Sequence, residues 1–197
     1  MTEKTLALVK NLPFHEMRVL EISGNAWCDF GFKSHTSVQF PQFDICERTL
    51  SERFDLIIAE QVLEHVLWPY RAASNVHDLL VPGGYFLVST PFLIKVHNFP
   101  TDCSRWTETG LKYLLAECGF QLESTVTGSW GNTDCVIANF SGWVPYQQGA
   151  QSLENEPDMP YHVWALAQKP SVAQNIPHFR TSQNMSKENI VRTTRSD

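Results

Sequence analysis

A group of chemically versatile side chains lies in one segment in the middle of the chain, residues 91–107. It combines a histidine, an aspartate, an arginine and a tryptophan, namely His97, Asp102, Arg105 and Trp106. Such a combination is unusual for a simple connection, and functional side chains concentrate in loops. His97 could act as a base or orient a substrate, and Asp102, Arg105 and Trp106 are predicted to bind the substrate, with Arg105 able to clamp an anionic group. The alternative is a structural network, in which Asp102 pairs with Arg105 while Trp106 packs beneath.

A second group of polar residues follows an apolar run at residues 54–59. Glu60 and Gln61 come directly after this run, and Glu64 and His65 follow them. His65 is a second candidate base, and the alternative is a packing histidine that hydrogen-bonds the backbone. Glu64 and His65 do not have the His-Glu-x-x-His spacing of many zinc enzymes, so the sequence predicts no metal.

Alternating apolar runs and helical patterns must position these side chains. Strands are predicted at residues 18–22, 36–40, 43–45, 54–59, 85–89, 121–127 and 161–168. Helical patterns cover residues 62–67, 69–80, 107–118 and 135–143, with a cap at Thr107 and a C-terminal glycine at Gly119. This alternation predicts a doubly wound α/β sheet, whose ligand lies beyond the carboxyl ends of the strands.

Three segments resemble, in order, the class I methyltransferases of the broad type 11 methyltransferase domain family. They are VLEISG at residues 19–24, FDLIIAEQVLEH at residues 54–65 and LLVPGG at residues 79–84. A fourth, LLAECGF at residues 114–120, stands where the family has its last helix before the final two strands. The resemblance covers about residues 16–168. It implies a Rossmann-like doubly wound fold with a mainly parallel sheet, an antiparallel last strand, and S-adenosylmethionine as cofactor.

S-adenosylmethionine has no phosphate, so its site needs a close backbone approach, a carboxylate and a polar contact for the adenine. Gly24 can supply the close approach. Glu21 can supply the carboxylate, and its alternative is a capping or ion-pair residue. The resemblance places Asp44 at the adenine. The complete predicted set of cofactor-binding residues is Glu21, Ser23, Gly24, Gln39, Asp44, Glu60 and Gln61.

Two features depart from the family pattern. The loop after the first strand, SGNAW, has one glycine where the family has two or three, and Gln39 stands where an acidic residue normally binds the ribose. The segment from Gln39 to Phe54 is also short, which predicts that a helix is missing there. Methylation of a small-molecule acceptor on oxygen, nitrogen or carbon is the leading hypothesis. A catalytically degenerate binding or regulatory module is the alternative, and a nicotinamide enzyme is disfavoured because GxGxxG is absent.

Composition restricts the partners and the compartment. The formal net charge of −6 argues against a nucleic-acid or membrane-surface partner. Five cysteines without a CxxC pair argue against a disulfide framework and favour a reducing, cytoplasmic location. Neither a signal peptide nor a membrane-spanning segment is expected. Residues 1–15 are predicted as a lead-in, residues 16–169 as the methyltransferase domain and residues 170–197 as a disordered tail. The sequence does not indicate the oligomeric state.

Overall fold

The computed structural model describes residues 3–47 and 49–172. Within these residues a six-stranded sheet has the order β2-β1-β3-β4-β6-β5. Its strands are β1 (Arg18–Ile22), β2 (Ser34–Val38), β3 (Phe54–Glu60), β4 (Leu80–Pro91), β5 (Val126–Trp130) and β6 (His162–Gln168). The neighbours among β1 to β4 pair in parallel, whereas β6 pairs antiparallel with both β4 and β5. The predicted α/β fold, mainly parallel with an antiparallel last strand, is confirmed.

Helices cover both faces of the sheet, which explains why the central strands are apolar almost throughout. They are α1 (Glu3–Lys10), α2 (Pro69–Leu79) and α3 (Glu108–Glu117); the short helix α4 (Thr133–Ala138) follows β5 along the chain. The larger apolar cluster joins α2 and α3 to one face of the strands, through residues such as Ile57 and Val88. The smaller cluster joins α1 to the other face, where Val9 and Trp27 are fully buried. The sheet edge that carries the loops is therefore held from both sides.

The connection between β2 and β3 differs from the prediction. Residues 43–45 form turns and not a third strand, because the Asp44 side chain folds back on the chain. Its Oδ1 atom accepts a hydrogen bond from the Cys46 backbone N–H at 2.8 Å. No helix lies among the described residues of this connection, as the short segment predicted.

The prediction of a helix at residues 62–67 is also wrong. Only a single 3-10 turn, Leu63–His65, is formed. The chain enters it from Gln61, whose φ is +56°, and leaves it towards Trp68, which lies before Pro69 with non-helical dihedrals. The apolar residues Val62 and Leu63 of this stretch are thus buried, although the stretch is not a helix.

The ends of three further elements differ from the prediction because of local contacts. Residues 82–84, predicted to precede a strand, lie inside β4 as a bulge, since the pairing jumps from Phe54–Leu80 to Leu56–Tyr85. Residues 121–125 turn, with the Thr125 N–H bonded to the Gln121 carbonyl, so β5 begins only at Val126. The helix predicted at residues 135–143 is α4, capped by Asn132.

The predicted ends of α3 are confirmed. Thr107 Oγ1 accepts a hydrogen bond from the Gly110 N–H at 3.1 Å, and Gly119 has a φ of +100°. Residues 173–197, most of the predicted tail, lie outside the described residues. Among the described residues no helix has the length and apolar character needed to cross a membrane.

Candidate functional site

The loop after β1 is shaped by the carboxylate of Glu21. This side chain is buried and accepts hydrogen bonds from the backbone N–H groups of Ala26 at 2.8 Å and Trp27 at 3.1 Å. His35 on the neighbouring β2 places Nε2 2.8 Å from the same carboxylate. A Cβ atom on residue 24 would collide with Glu21 Oε1, so glycine lets the loop close over the carboxylate in its present position. The structure places Glu21 in a capping role, and its contact with a cofactor stays a prediction.

The same loop is fastened to β2. The Ser23 N–H donates to the Val38 carbonyl at 2.8 Å, and the Ser37 hydroxyl donates to the Gly24 carbonyl. Ser23 adopts a φ of +62°, which turns the chain sharply at the end of β1. Gln39, exposed at the end of β2, lies next to these tethers in sequence.

The end of β3 carries an acid that is held by other parts of the chain. Glu60 accepts hydrogen bonds from the Thr5 hydroxyl at 3.2 Å and from the Trp27 indole N–H at 3.0 Å. Its carboxylate therefore connects α1, the loop after β1 and β3. Gln61 follows, and its exposed side chain approaches Ser89 Oγ at 3.3 Å.

His162 is a residue of this edge that sequence reasoning missed. Its Nδ1 lies 3.5 Å from Gln61 Nε2, and it pairs with Pro91 across the antiparallel β4–β6 ladder. Burial lowers the pKa of His162 to about 4, so the ring is neutral at pH 7. The antiparallel pairing of β4 with β6 brings residue 162 beside residue 61, and no local sequence pattern predicts this contact.

Three of the four predicted side chains of residues 91–107, those of His97, Asp102 and Arg105, form one network. Asp102 accepts hydrogen bonds from the His97 backbone N–H at 2.8 Å and from Arg105 Nη2 at 2.6 Å, and Arg105 Nη1 pairs with its other oxygen. His97 Nδ1 lies 3.2 Å from Asp102 Oδ2. The Arg105 guanidinium, together with these contacts to His97, holds the pKa of Asp102 well below its usual range. Trp106 is half-buried against the main apolar cluster.

This geometry favours the structural alternative for part of the network. The guanidinium of Arg105 is engaged by Asp102 and by the Ser104 carbonyl at 2.8 Å, so an anion clamp by Arg105 stays a prediction. His97 differs, since Asp102 occupies only its Nδ1 side. Asp102 therefore holds and orients His97.

His65 and Glu64 stand beside this network. His65 Nδ1 contacts the Thr101 carbonyl, and the ring centroids of His65 and His97 are 5.0 Å apart. Glu64 is fully buried, and neither of its carboxylate oxygens has a hydrogen-bond partner among the described residues. Burial raises the pKa of Glu64 to about 7. The burial of Glu64 was not predicted from the sequence.

A cavity of about 450 Å³ opens at the opposite edge of the sheet. Its lining includes Arg53, Leu80 and Lys169, which lie just before β3, at the start of β4 and just after the end of β6. In an open parallel sheet ligands bind at the carboxyl ends of the strands, so this cavity is not the expected ligand site.

The fold is that of a methyltransferase domain. The family model described as "Methyltransferase domain" matches residues 14–125, more than half of the chain. The chain therefore belongs to this family, and the resemblance to class I S-adenosylmethionine-dependent methyltransferases is confirmed, with S-adenosylmethionine as the cofactor of the class.

A probable S-adenosylmethionine-dependent methyltransferase of Mycolicibacterium smegmatis is 29% identical over 110 residues. The match covers 47% of this chain and 41% of that relative, so the chain spans less than half of the relative's length.

Two solved structures share the fold at low sequence identity. One is an S-adenosylmethionine-dependent methyltransferase of Thermotoga maritima, a possible histamine N-methyltransferase; it aligns with a TM-score of 0.55 at 16% identity, over 84% of this chain and 87% of that one. The other is the 1,6-didemethyltoxoflavin-N1-methyltransferase of Burkholderia thailandensis with bound 1,6-didemethyltoxoflavin and S-adenosylhomocysteine. It aligns with a TM-score of 0.57 at 16% identity, over 85% of this chain and 77% of that one.

Proposed function

We propose that this chain transfers the methyl group of S-adenosylmethionine to an oxygen, nitrogen or carbon atom of a small-molecule acceptor. The observation that carries the proposal is the arrangement of two clusters at one sheet edge. The loop after β1 lies at the carboxyl end of one central strand, and His65 and His97 follow the carboxyl ends of β3 and β4. The toxoflavin methyltransferase, whose structure contains a small-molecule substrate, supports an acceptor of this kind.

The residues at the edge fit the cofactor. The left-handed turn at Ser23 bends the loop backbone sharply at the end of β1, and the side chains of Gln39 and Gln61 are exposed. Asp44 retains Oδ2 for the adenine amino group, because the turn hydrogen bond uses its Oδ1. When bound, the cofactor supplies an electrophilic methyl group that an aligned nucleophile displaces in line. Gln39 would bind the ribose without charge assistance, which predicts moderate affinity.

The chain's own contribution to the methyl transfer is positioning. Holding acceptor and methyl donor in line supplies most of the acceleration for a displacement of this type. Asp102 fixes the His97 ring, and Thr101 fixes the His65 ring, so that both present their Nε2 sides in defined directions. We assign the acceptor to this pair of rings, which bind and orient its reacting atom.

Calorimetry on the full chain tests the cofactor. We expect S-adenosylmethionine and S-adenosylhomocysteine to bind with one site per chain, and NAD to show no heat of binding. Binding of NAD without binding of either methionine nucleoside would contradict the proposal.

Release of S-adenosylhomocysteine across a library of small molecules tests the transfer. With any acceptor found, His97→Ala is expected to lower kcat at least about 30-fold, a loss of about 2 kcal/mol of transition-state stabilisation, with cofactor affinity within about twofold of the parent. The exposed His15→Ala is the matched control. A chain that binds S-adenosylhomocysteine but methylates nothing in the library would favour the degenerate binding module.

A further inference from the structure

Three potential metal ligands converge where the 3-10 turn after β3 meets the loop after β4. One ligand atom from each of Glu64, His65 and His97 lies within 4.8 Å of the others. His65 Nε2 lies 3.8 Å from Glu64 Oε1, which is too long for a hydrogen bond. A zinc-type ion bound at about 2.1 Å would bring such atoms to roughly 3–3.5 Å from one another, which requires side-chain shifts of about 1 Å.

Hydrogen bonds determine which nitrogen of each ring is available. His65 Nδ1 contacts the carbonyl oxygen of Thr101, and His97 Nδ1 faces the carboxylate of Asp102 at 3.2 Å. Carbonyl and carboxylate oxygens only accept, so in a neutral ring each Nδ1 carries the hydrogen and each Nε2 carries the lone pair. Metal-binding histidines are commonly oriented in this way, by a carboxylate or a backbone carbonyl at the far nitrogen.

Glu64 provides an independent observation. Its side chain is fully buried beside the two rings, and neither carboxylate oxygen has a hydrogen-bond partner within the described part of the chain. Buried charges in proteins are normally paired or coordinate metal ions, because leaving them unpaired is costly. The side chains of His65 and His97 are 19% and 24% exposed, so an ion can reach the group from solvent.

The nearby charges are suited to a cation. Asp102 carries a negative charge that Arg105 balances through two hydrogen bonds. When Glu64 gives up its proton to a bound cation, the cluster carries a net negative charge to balance that cation. Because the Arg105 guanidinium is bound by Asp102, its positive charge is offset next to the three ligands.

We propose that Glu64, His65 and His97 bind a divalent transition-metal ion, through one carboxylate oxygen and two imidazole Nε2 atoms. Two histidines and one carboxylate form a ligand set used for Zn²⁺ and Fe²⁺, and three protein ligands leave at least one coordination position open. The sequence predicted no metal because it lacks a contiguous zinc motif. The ligands come instead from two segments that only the fold brings together.

The role of the ion rests on the proposed function. Glu64, His65 and His97 would hold the ion with a coordination position open to the oxygen or nitrogen atom of the acceptor, so that the two rings orient the acceptor through the ion; a bound ion would lower the pKa of that atom. The acceptor atom loses its proton to water and forms a bond to the methyl carbon. The sulfur–methyl bond breaks in the same step, and S-adenosylhomocysteine is released.

Metal titration of the full chain, after removal of metals with a chelator, tests the site directly. We expect Zn²⁺ to bind one ion per chain with a Kd below about 10 μM by calorimetry. Co²⁺ is expected to give visible absorption bands that indicate nitrogen and oxygen ligands in a site of low coordination number. Glu64→Gln, His65→Asn and His97→Asn are each expected to weaken Zn²⁺ binding by about 10- to 100-fold. The exposed His15→Asn and Glu16→Gln, which remove the same chemical groups elsewhere, serve as matched controls and are expected to bind like the parent.

Two results would overturn the metal site. One is a parent chain that binds Zn²⁺ no more tightly than about 100 μM. The other is a set of three ligand variants that are folded by circular dichroism and bind Zn²⁺ as the parent does. Glu64→Gln keeps the shape of the side chain and removes a buried charge, so this variant is expected to fold even if a histidine variant does not. Metal binding is measured without cofactor or acceptor, so its failure is distinguishable from a failure to bind S-adenosylhomocysteine.

Discussion

Replacing Asp102 by alanine is expected to lower the free energy of unfolding by about 3 kcal/mol, since removal of one partner from a buried ion pair leaves the other charge uncompensated. The Asp102 side chain is 4% exposed and that of Arg105 is 22% exposed, so solvent can replace the lost contacts only in part. The variant also removes the acceptor of the His97 backbone N–H. Thermal denaturation followed by circular dichroism measures the effect, which corresponds to a fall in Tm of about 6–12 °C for a domain of this size.

Two further variants define the cause of this loss. Asp158→Ala removes an exposed aspartate in the loop before β6 and is expected to change stability by less than about 0.5 kcal/mol. Arg105→Lys keeps the positive charge but loses the planar fork, and an intermediate loss is expected. An Asp102→Ala variant as stable as Asp158→Ala would contradict the role of Asp102 as the centre of the network.

Replacing Glu21 by alanine is expected to weaken S-adenosylhomocysteine binding at least tenfold, which corresponds to about 1.4 kcal/mol of binding free energy. The carboxylate holds two backbone N–H groups of the loop and the His35 ring, and alanine leaves all three without this acceptor. The loop must then be ordered by the ligand itself, and that ordering costs affinity. Calorimetry measures the affinity, and the melting temperature of the free variant measures the accompanying loss of stability.

A conservative substitution of Glu21 and a control substitution at a distant glutamate show whether the loss of affinity comes from the Glu21 carboxylate. Glu21→Gln retains one acceptor oxygen and is expected to lose less affinity than alanine. Glu52→Ala, at an exposed position before β3, is expected to bind like the parent. Unchanged affinity in a folded Glu21→Ala variant would show that the loop keeps its shape without the carboxylate.

The sequence predicted elements well where a single physical signal dominates. β1 and β3 are buried on both faces and read as continuous apolar runs, and the signals for the start and end of α3 are local. Predictions failed where neighbouring segments decide the outcome. The bulge of β4 depends on its pairing with β3, and the turn at residues 62–67 depends on the backbone of Gln61 and on Pro69.

The candidate site was also predicted only in part, because some of its residues have local sequence signals and others depend on contacts between distant segments. His65, His97 and Asp102 could be selected by residue type and by their place after apolar strands. The burial of Glu64 could not be predicted, because it follows from Cys103 donating its N–H to the Glu64 carbonyl and from the loop covering the turn. The contact of His35 with Glu21 likewise requires the parallel register of β1 and β2, which sets Glu21 opposite Ser37.

The tethers between the loop after β1 and β2 have a consequence for local stability. β2 is one of the two edge strands of the sheet, with β1 as its one neighbour in the strand order, and edge strands open more readily than central ones. Ser37, Val38 and His35 all bond to this loop or to the carboxylate beneath it, so an opening of β2 releases the loop as well. By linkage, a ligand that binds the closed loop raises the free energy of that opening by RT ln(1 + [L]/Kd). Slower amide hydrogen exchange in residues 34–38 would thus report occupancy of a site that these residues need not touch.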